Sequence, residues 1–379
     1  MRIAYFTDTF LPQVNGVSNT LDKLDKYLSI KCVEHLFLAP CYSGTEINSK
    51  QSTIKRFKSV SLPIYPECRL SIPSYPNLCK LMKSFKPDLI HLITPFGIGL
   101  SGLRFAKENN IPLVSSFHTY FDAYLKYYKL EILEETAWKF FCWFHGHCSI
   151  NFVPSKDTLE KLSCHGIKNL ELWPRGIDAE IFNPQNRDTS VRSMYGAENK
   201  LIFLYVGRLA PEKDLDVLLE VIRRVNDIHP GKACFVITGG GPYSKEMHKY
   251  RMDNVFYTGY LRGKELSAIY ASCDAFICPS STETFGNVAL EAMASGLPVI
   301  ASASGGLKDN VIHFYNGFLC TPRDVQSFVK SVSYLVENKE CLRALSINAR
   351  KYTLTKTWDS VFDKLLSDYC KFLEGGKAA

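Results

Sequence analysis

Residues 271–306 read ASCDAFICPSSTETFGNVALEAMASGLPVIASASGG and predict the order strand, loop, helix, strand. The apolar run 275–278 is typical of a buried parallel strand. Residues 287–294 return to apolar side chains without Pro or Gly, which predicts a helix, and the Gly and Pro that follow would end it. The apolar run 298–301 predicts the next strand. We interpret this unit as a right-handed crossover of an α/β sheet.

Two carboxylates flank the start of the predicted helix. Glu283 lies in the loop, and Glu291 follows about two turns into the helix. The N–H groups of Phe285, Gly286 and Asn287 lie between them, where unpaired amides and the helix dipole favour an anion. A sugar, a diphosphate and a ribose would present complementary groups in that order. Alternatively, both carboxylates are solvated helix acids, because acids favour helix N-termini in general.

The segment Glu283-Thr-Phe-Gly-Asn-Val-Ala-Leu-Glu291 resembles the Glu-x7-Glu motif of the family 4 retaining glycosyltransferases, which have the GT-B fold. The resemblance implies an α/β protein with two Rossmann-like domains that face each other across a cleft, and a C-terminal helix that crosses back to the first domain. It also implies that Glu283 contacts the transferred sugar, that Glu291 binds the nucleotide ribose, and that the amides of 285–287 hold the diphosphate.

A second motif follows the apolar strand 201–206 and reads Gly-Arg208-Leu-Ala-Pro-Glu-Lys213. Two cations at the carboxyl end of a strand, just before a helix, suit an anion. Pairing with the neighbouring acids Glu212 or Asp214 would explain them equally well. The segment resembles the family's Gly-Arg-Leu-x-x-Glu-Lys motif, in which both cations bind donor phosphates, and this implies the same role for Arg208 and Lys213.

Glycines after the strand 234–238 resemble the family's Gly-x-Gly-Pro turn beside the nucleotide, which implies donor contacts for Gly239 and Gly241. In the family, the position of Leu261 lies against the base. One departure from the family pattern is Asp309, which stands where a Glu is common after a Gly-Gly turn.

The first strand, 2–6, leads into Asp-Thr-Phe-Leu-Pro-Gln-Val-Asn15-Gly16 and then a helical stripe of apolar residues. No Gly-x-Gly-x-x-Gly follows this first strand, so the dinucleotide fingerprint is absent there. An ordinary strand-to-helix turn would explain Asn15 and Gly16. The opening is also similar to the mannosyltransferase-like branch of the family, whose Gly-containing loop closes over the donor and approaches the acceptor. This implies a donor contact for Gly16 and an acceptor-side position for Asn15.

His118 directly follows the predicted strand 112–117, at the sheet edge where ligands gather in open α/β folds. A lone histidine is more often structural. However, the family carries a histidine after the corresponding strand, near the reaction centre, which implies a catalytic role for His118. Asp122 and Tyr124 follow closely and are further acceptor-side candidates.

Two other segments of the first half carry predictions. Residues 41–78 contain four Pro and are expected to be irregular. The Lys-Arg-Phe-Lys cluster at 55–58 is expected to be a solvated loop, with contact to anionic lipid or to a phosphorylated acceptor as the alternative. The aromatic-rich segment 126–147 is predicted to be a core helix, with a membrane-interface role as the alternative.

The chain of 379 residues is too long for one core and predicts two domains. We assign 1–185 to an acceptor-side domain, 186–198 to a polar linker, 199–356 to a nucleotide-sugar-binding domain and 357–379 to the returning helix.

Composition narrows the class of protein. No apolar stretch approaches the about 18 residues of a transmembrane helix, and the chain opens on a strand, not on a signal peptide. Thirteen Cys without a Cys-x-x-Cys pair favour reduced thiols in a cytoplasmic protein. The net charge of +7 forms no basic arm, which argues against a nucleic-acid partner. It is compatible with acidic ligands or with peripheral contact to an anionic membrane at its inner face.

Together these features predict a retaining glycosyltransferase that moves a hexose, with GDP-mannose as first choice of donor, to a lipid, glycan or small-molecule acceptor. UDP-glucose or UDP-N-acetylglucosamine is the alternative donor. Arg208, Lys213 and the helix amides would stabilise the leaving diphosphate in place of a metal. The Asp-x-Asp at 214–216 is interpreted as capping and surface charge, so neither a metal nor another cofactor is expected. A sugar-nucleotide 2-epimerase and a non-catalytic nucleotide-sugar-binding protein are the remaining alternatives.

Overall fold

The computed structural model describes residues 1–13, 15–42, 53–61, 69–118, 132, 134–250 and 252–375. The chain forms two compact units. The first holds the described residues of 1–118, 132–174 and 361–375, and the second holds those of 175–360.

In the described part of the first unit, seven parallel strands form one sheet in the order β3-β2-β1-β6-β7-β8-β9. These strands are β1 (Arg2–Phe6), β2 (Glu34–Pro40), β3 (Ile54–Phe57), β6 (Leu89–Leu92), β7 (Leu113–Ser116), β8 (Ile150–Val153) and β9 (Leu170–Leu172). Two short antiparallel strands lie apart from it, β4 (Ser59–Ser61) and β5 (Arg69–Ser71). The helices are α1 (Gly16–Ile30), α2 (Tyr75–Phe85), α3 (Gly97–Glu108), α4 (Glu134–His145) and α5 (Lys156–Cys164).

The second unit has a parallel sheet in the order β12-β11-β10-β13-β14-β15. Its strands are β10 (Leu201–Val206), β11 (Ala233–Thr238), β12 (Val255–Gly259), β13 (Ala275–Cys278), β14 (Val299–Ser302) and β15 (Gly317–Cys320). Its helices are α6 (Thr189–Met194), α7 (Leu215–Ile228), α8 (Ser244–Met247), α9 (Gly263–Ser272), α10 (Asn287–Ala294), α11 (Leu307–Asn310), α12 (Val325–Glu337) and α13 (Lys339–Thr353). Short 3-10 turns cover Pro184–Asn186 and Pro211–Lys213. Helix α14 (Trp358–Gly375) begins in the second unit and ends in the first.

Both sheets reverse their strand order beside a central strand. In the first unit β1 lies between β2 and β6, and in the second β10 lies between β11 and β13. The strands are near-continuous apolar runs because helices cover both faces of such sheets, as the two separate apolar clusters of the second unit show. Ligands of open α/β sheets bind where the order reverses, outside the carboxyl ends of the strands. A ligand is therefore expected at the loops that follow β1, β6, β10 and β13.

The segment that opened the sequence analysis folds as predicted. Strand β13 and helix α10 cover the predicted residues, and the next strand, β14, begins one residue later than predicted. All the residues of β13 and β14 are buried, as expected for strands inside a parallel sheet.

The prediction for residues 41–78 was wrong where the structure describes them. Strands β3, β4 and β5 and the start of α2 fall in this range. Residues 55–57 of the basic cluster lie in the edge strand β3 and are partly buried, so they are not a solvated loop. Strands of three or four residues are too short to produce a readable alternation of polar and apolar positions.

The aromatic segment 126–147 is only partly the core helix that was predicted. Described residues of it form α4, in which Trp138, Phe141 and Phe144 are buried. Trp143 is 51% exposed, so the helix presents one large aromatic side chain to the surface.

The two units divide the chain at different positions from the predicted domains. The first unit gives way to the second after Pro174. Residues 186–198, predicted as a linker, include α6 and pack within the second unit, where Arg192 Nη1 donates to Asp274 Oδ2 at 2.8 Å. The chain returns to the first unit from Val361 onward, and Tyr369 of α14 is fully buried there. Searched over its described residues, the chain has no helix that is both long and apolar enough to span a bilayer.

Candidate active site

Two oppositely charged side chains meet at the carboxyl ends of β10 and β13. Lys213 ends the 3-10 turn after β10, and Glu283 lies in the loop between β13 and α10. The Lys213 Nζ donates to Glu283 Oε1 at 2.5 Å, with the side chains only 16% and 19% exposed. Seventy positions separate these residues in the chain, and the pairing of β10 with β13 brings them together.

A set of polar contacts holds these two loops against each other. The Thr282 Oγ1 donates to the carbonyl of Glu212 at 2.8 Å. Both the N–H and the Oγ of Ser281 donate to Asp214 Oδ2, at 2.8 and 2.6 Å. These hydrogen bonds therefore fix the relative positions of the two loops that carry Lys213 and Glu283.

The prediction for the Asp-x-Asp at 214–216 was wrong for its first residue. Asp214 is fully buried, makes no side-chain cap to α7, and has a left-handed φ of 50°. Its second carboxylate oxygen accepts from the guanidinium of Arg323, which follows β15. Asp216 is exposed, as predicted, and also bonds Arg323, at 2.8 Å. Asp214 is therefore a buried residue that connects three loops through its hydrogen bonds, and it is not a surface charge.

Arg208 pairs with one of the neighbouring acids that the sequence analysis had kept as an alternative. Its guanidinium donates to Glu212, four residues later, whose side chain is almost fully buried. The hydroxyl of Tyr205 donates to the carbonyl of Arg208 at 3.1 Å and supports the turn. Lys213 contacts Glu283 across the sheet edge, so the two cations of the motif have acids from different loops. Their role toward donor phosphates stays a prediction.

The loop of Glu283 lies on a tight turn after β14. Gly305 has a φ of 53°, and a Cβ there would be 2.0 Å from the carbonyl oxygen of Glu283, so only glycine fits. The N–H of Gly306 donates to that same carbonyl at 2.8 Å. The Asn310 Nδ2 donates to the carbonyl of Phe285 at 2.8 Å. Asn310 directly follows Asp309, the position that departs from the family pattern. Its hydrogen bond holds the backbone at Phe285 in place.

The start of α10 has the geometry of an anion site. Gly286 is the N-cap, with a φ of 84°, and a Cβ there would approach Leu307 Cδ2 to 2.7 Å. Within the described ranges, no group accepts a hydrogen bond from the N–H groups of Phe285, Gly286 or Asn287. Three adjacent donors at the positive end of a helix are the arrangement that favours a phosphate or carboxylate.

Glu291 lies on α10 and is oriented by a partner that the sequence analysis missed. The buried Tyr270 of α9 donates its hydroxyl to Glu291 Oε2 at 3.0 Å. Burial, and then the nearby carboxylate, raise the pKa of Tyr270 well above its usual value, so the hydroxyl remains a donor. No local pattern could have revealed this contact, since 21 positions separate the two residues.

The predicted nucleotide-side glycines bring two loops into close contact. Gly239 has a φ of 135°, and a Cβ on it would be 1.9 Å from the carbonyl oxygen of Gly207. A Cβ on Gly241 would lie 2.3 Å from the carbonyl oxygen of Leu209. These glycines therefore pack the loop after β11 against the loop of Arg208. Leu261 is partly buried against the apolar cluster that includes α10.

Asn15 and Gly16 belong to the first unit and build the start of α1. The Asn15 Oδ1 accepts from the N–H groups of Val17 and Ser18 at 3.0 and 2.8 Å, and its Nδ2 donates to Thr9 Oγ1 at 2.8 Å. Gly16 is the first residue of the helix. Asn15 thus has a structural role, and its predicted acceptor contact stays a prediction.

His118 follows β7 in the first unit, as predicted, and is half-buried. Its ring lies 5.6 Å from that of Trp173, which follows β9. Asp122 and Tyr124 lie outside the described residues. The structure therefore gathers Arg208, Lys213 and Glu283 on one edge of the second unit and places Asn15 and His118 in the first.

Among the side chains that the structure describes, no group of three or more His, Cys, Asp or Glu is arranged to hold a metal ion. Metal independence stays a prediction.

Comparison with known proteins matches residues 14–181 to the family described as Glycosyltransferase Family 4, and 187–352 to that described as Glycosyl transferases group 1. A GDP-mannose-dependent alpha-mannosyltransferase of Mycobacterium tuberculosis is 31% identical over 374 residues, covering 97% of this chain and 96% of the relative. Sulfoquinovosyl transferase SQD2 of Arabidopsis thaliana is 31% identical over 378 residues, covering 97% and 73%. The solved structure of Anabaena Alr3699/HepE in complex with UDP has a TM-score of 0.77 at 18% identity, covering 98% of this chain and all of that one.

Proposed function

Because this chain belongs to glycosyltransferase family 4, we propose that it transfers mannose from GDP-mannose to a hydroxyl acceptor, with an α-linkage and retention at the anomeric carbon. The chain is a glycosyltransferase, and the predicted GT-B fold is confirmed. The observation that carries the choice of donor is the likeness to the mycobacterial enzyme, which extends over nearly the whole of both chains.

The pair formed by Lys213 and Glu283 suits this reaction because each partner keeps capacity for a ligand. An ammonium group has three N–H donors and a carboxylate has about four lone-pair sites, more than the shared hydrogen bond at 2.5 Å uses. We assign Lys213 to the donor phosphates and Glu283 to the sugar hydroxyls. The pair would then couple the leaving group to the transferred sugar through a single contact.

Charge develops on the diphosphate as the glycosidic bond breaks. Arg208, Lys213 and the N–H groups at the start of α10 are assigned to stabilise it, in the manner of a preorganised oxyanion site. Glu291, oriented by Tyr270, is assigned to the ribose. This arrangement supplies cations and amides where other transferases use a metal, so we expect full activity in the presence of a chelator.

His118 is assigned to the reaction centre near the primary hydroxyl of the sugar. Glu283 would favour an oxocarbenium-like transition state by holding the sugar, and a leaving phosphate oxygen would take the proton of the acceptor hydroxyl on the same face. No side chain is assigned as a covalent nucleophile.

A different sugar is the second candidate, favoured by the Arabidopsis relative. It has the same identity to this chain as the mycobacterial enzyme, and its name assigns it a sulfoquinovosyl group. The machinery for the diphosphate would be shared between the two, and only the base and sugar contacts would differ.

Thermal unfolding with GDP, UDP, ADP and dTDP tests the donor. A nucleotide at about 100 times its dissociation constant stabilises the folded state by about 2.7 kcal/mol, which shifts the midpoint visibly. A shift with GDP alone, followed by acceptor-dependent GDP release from GDP-mannose, is the expected result. A shift with UDP alone would move the assignment to another sugar, and no shift with any nucleotide would overturn the donor site.

A further inference from the structure

A cavity of about 460 Å³ opens at the carboxyl ends of β2 and β3 in the first unit. Its volume is within the range of about 300–1,000 Å³ that is usual for small-molecule sites. It is separate from the loops of Lys213 and Glu283, which belong to the other unit. Its walls include Tyr42, Lys58, Ser59, Val60, Arg69 and Ile72.

The cavity has cationic walls. Lys58 and Arg69 line it, and Arg69 donates to the Oγ and carbonyl of Ser59 at 2.6 and 2.9 Å. Arg56 also lies near Tyr42, and the guanidinium carbons of Arg56 and Arg69 are 6.0 and 5.4 Å from the centre of the tyrosine ring. None of these cations forms an ion pair with an acid in the portion of the chain that the structure describes. The hydrogen bonds that Arg56 and Arg69 make to described residues go to neutral oxygens, which do not balance their positive charge.

Apolar side chains border the same cavity. Val60 is 48% exposed and Ile72 is 57% exposed, although both line its wall. Apolar surface beside these cations suits a ligand that carries an anionic group next to a hydrocarbon part.

Hydrogen bonds connect this cavity to the loop that precedes α1. The Tyr42 hydroxyl donates to Gln13 Oε1 at 2.9 Å, and Thr9 Oγ1 donates to the same oxygen at 3.0 Å. Thr9 in turn accepts from Asn15 at 2.8 Å. On the far side, the N–H of Ser71 donates to the buried carboxylate of Asp8 at 2.8 Å. The cavity is therefore built onto the loop whose residues were predicted to approach the acceptor.

We propose that this cavity binds a phosphoryl group of the acceptor, and that the acceptor is a phosphate-bearing molecule with an apolar part. Lys58 and Arg69 would hold the phosphoryl oxygens. Tyr42 would form the floor beside the guanidinium groups of Arg56 and Arg69. Val60 and Ile72 would contact the hydrocarbon. The assignment to the acceptor rests on the proposed glycosyl transfer. The binding of a phosphoryl group in this cavity does not depend on that transfer.

Two probes separate the sources of such a group. Glycerol 1-phosphate represents a soluble phosphate monoester and is titrated by calorimetry. Vesicles of phosphatidylcholine, alone or mixed with phosphatidylglycerol, represent a lipid head group and are tested by co-sedimentation. The variants are Lys58→Gln and Arg69→Gln, with Lys55→Gln as the control. Lys55 lies on β3, carries the same charge and does not line the cavity.

The expected result is binding of at least one probe by the wild type and a loss of about tenfold or more in each cavity variant, the factor of one charge-assisted hydrogen bond. Lys55→Gln should bind as the wild type does. An equal loss in Lys55→Gln would overturn the proposal, since general attraction to an anionic surface counts every cation alike. Failure of the wild type to bind either probe would also overturn it.

Titration with GDP keeps this test apart from the proposed function. All three variants should bind GDP as tightly as the wild type, because none of the three residues is a predicted donor contact, and the predicted diphosphate residues Arg208 and Lys213 belong to the second unit. A wild type that binds a phosphate probe but no nucleotide would refute the proposed transfer, and with it the acceptor assignment, while leaving an anion site.

Discussion

The two units stabilise their buried polar groups in different ways. In the first unit, the fully buried His91 lies between the hydroxyls of Tyr369 and Ser116, each at 2.5 Å, and all of these groups are neutral. In the second unit, the buried acids Glu212 and Asp214 meet arginines. Burying an ionised side chain costs desolvation energy. A buried ion pair is therefore a stronger indication of a functional site than a hydrogen bond between neutral groups.

Asp8 shows the same difference at the edge of the first sheet. Its carboxylate follows β1 and accepts from the N–H of Ser71 at 2.8 Å and from Thr94 Oγ1 at 3.0 Å, and no cation among the described residues forms an ion pair with it. Burial raises the pKa of Asp8, and the hydrogen bonds offset this only in part. Asp214 is buried to a similar degree but has Arg323 as its partner. The second edge therefore retains ionised groups, and the first favours neutral ones.

Glu283→Gln is expected to have the largest effect. Glutamine keeps the volume but loses the charge that pairs with Lys213, so kcat/KM for sugar transfer should fall about 10²–10³-fold, as for the loss of one preorganised group that contacts the transition state. The free energy of unfolding should change little, because the amide oxygen of glutamine can still accept from Lys213 Nζ. Glu220→Gln, at a surface ion pair with Arg223, is the matched control and should keep wild-type kinetics. A Glu283→Gln enzyme within a few-fold of wild type would remove the pair from the reaction centre.

The same substitution at two buried aspartates compares the edges directly. Asp214→Asn breaks the contact with Arg323 and should lower the free energy of unfolding by about 2–3 kcal/mol, less than for a fully buried pair because Arg323 is half exposed. Asp8→Asn should change it by less than about 1 kcal/mol at neutral pH. Asp8 has a raised pKa in the folded state, so its ionised form already costs stability above the unfolded pKa of 3.8, and a neutral side chain removes that cost.

Urea unfolding at pH 7 measures both variants. Equal losses for Asp8→Asn and Asp214→Asn would show that hydrogen bonding alone stabilises these carboxylates and that the contrast between the edges has no energetic basis.

The strongest sequence patterns predicted elements well, and the weakest did not. The apolar runs of β13 and α10 are unbroken and bounded by turn residues, so their limits were readable. Strands β3, β4 and β5 have three or four residues and were missed. Motifs located Arg208, Lys213 and Glu283, and their roles toward a donor remain predictions.

Partner choice could not be derived from sequence. Lys213 had two acids close by in the chain, yet it donates to Glu283, whose loop the adjacency of β10 and β13 brings close. Asp214 was taken for a cap because helix starts favour aspartate, yet the left-handed turn carries its side chain into the protein. Such contacts depend on strand order and register, which local residue patterns do not contain.

The neutral buried histidines of the first unit predict that the folded state loses stability at acidic pH. Burial lowers the pKa of His91 to about 3 and that of His145 to about 4. Above pH 6.5 neither folded nor unfolded chain protonates these rings. Below it the unfolded chain binds a proton that the folded chain does not, so each histidine should cost about 1.4 kcal/mol per pH unit as the pH falls.

Urea unfolding between pH 6.5 and 5 measures this slope. His91→Asn should reduce it by about one histidine's share, about 2 kcal/mol across the window, whatever the stability of the variant at pH 7. An unaltered slope in His91→Asn would mean that the folded chain protonates this ring as readily as the unfolded chain does, and that the first unit tolerates the charge.

The smallest expected effect concerns Tyr270, which is a neutral donor to an acid of the second edge. Tyr270→Phe removes the hydrogen bond to Glu291 Oε2 and should weaken GDP binding about fivefold, the value of one net hydrogen bond of about 1 kcal/mol. The informative measurement is a comparison of GDP with 2′-deoxy-GDP by calorimetry. If Glu291 binds the ribose and Tyr270 orients it, the wild type should prefer GDP, and this preference should shrink in Tyr270→Phe. A uniform loss for both nucleotides would instead make Tyr270 a packing residue, and the hydroxyl would not contribute to ribose recognition.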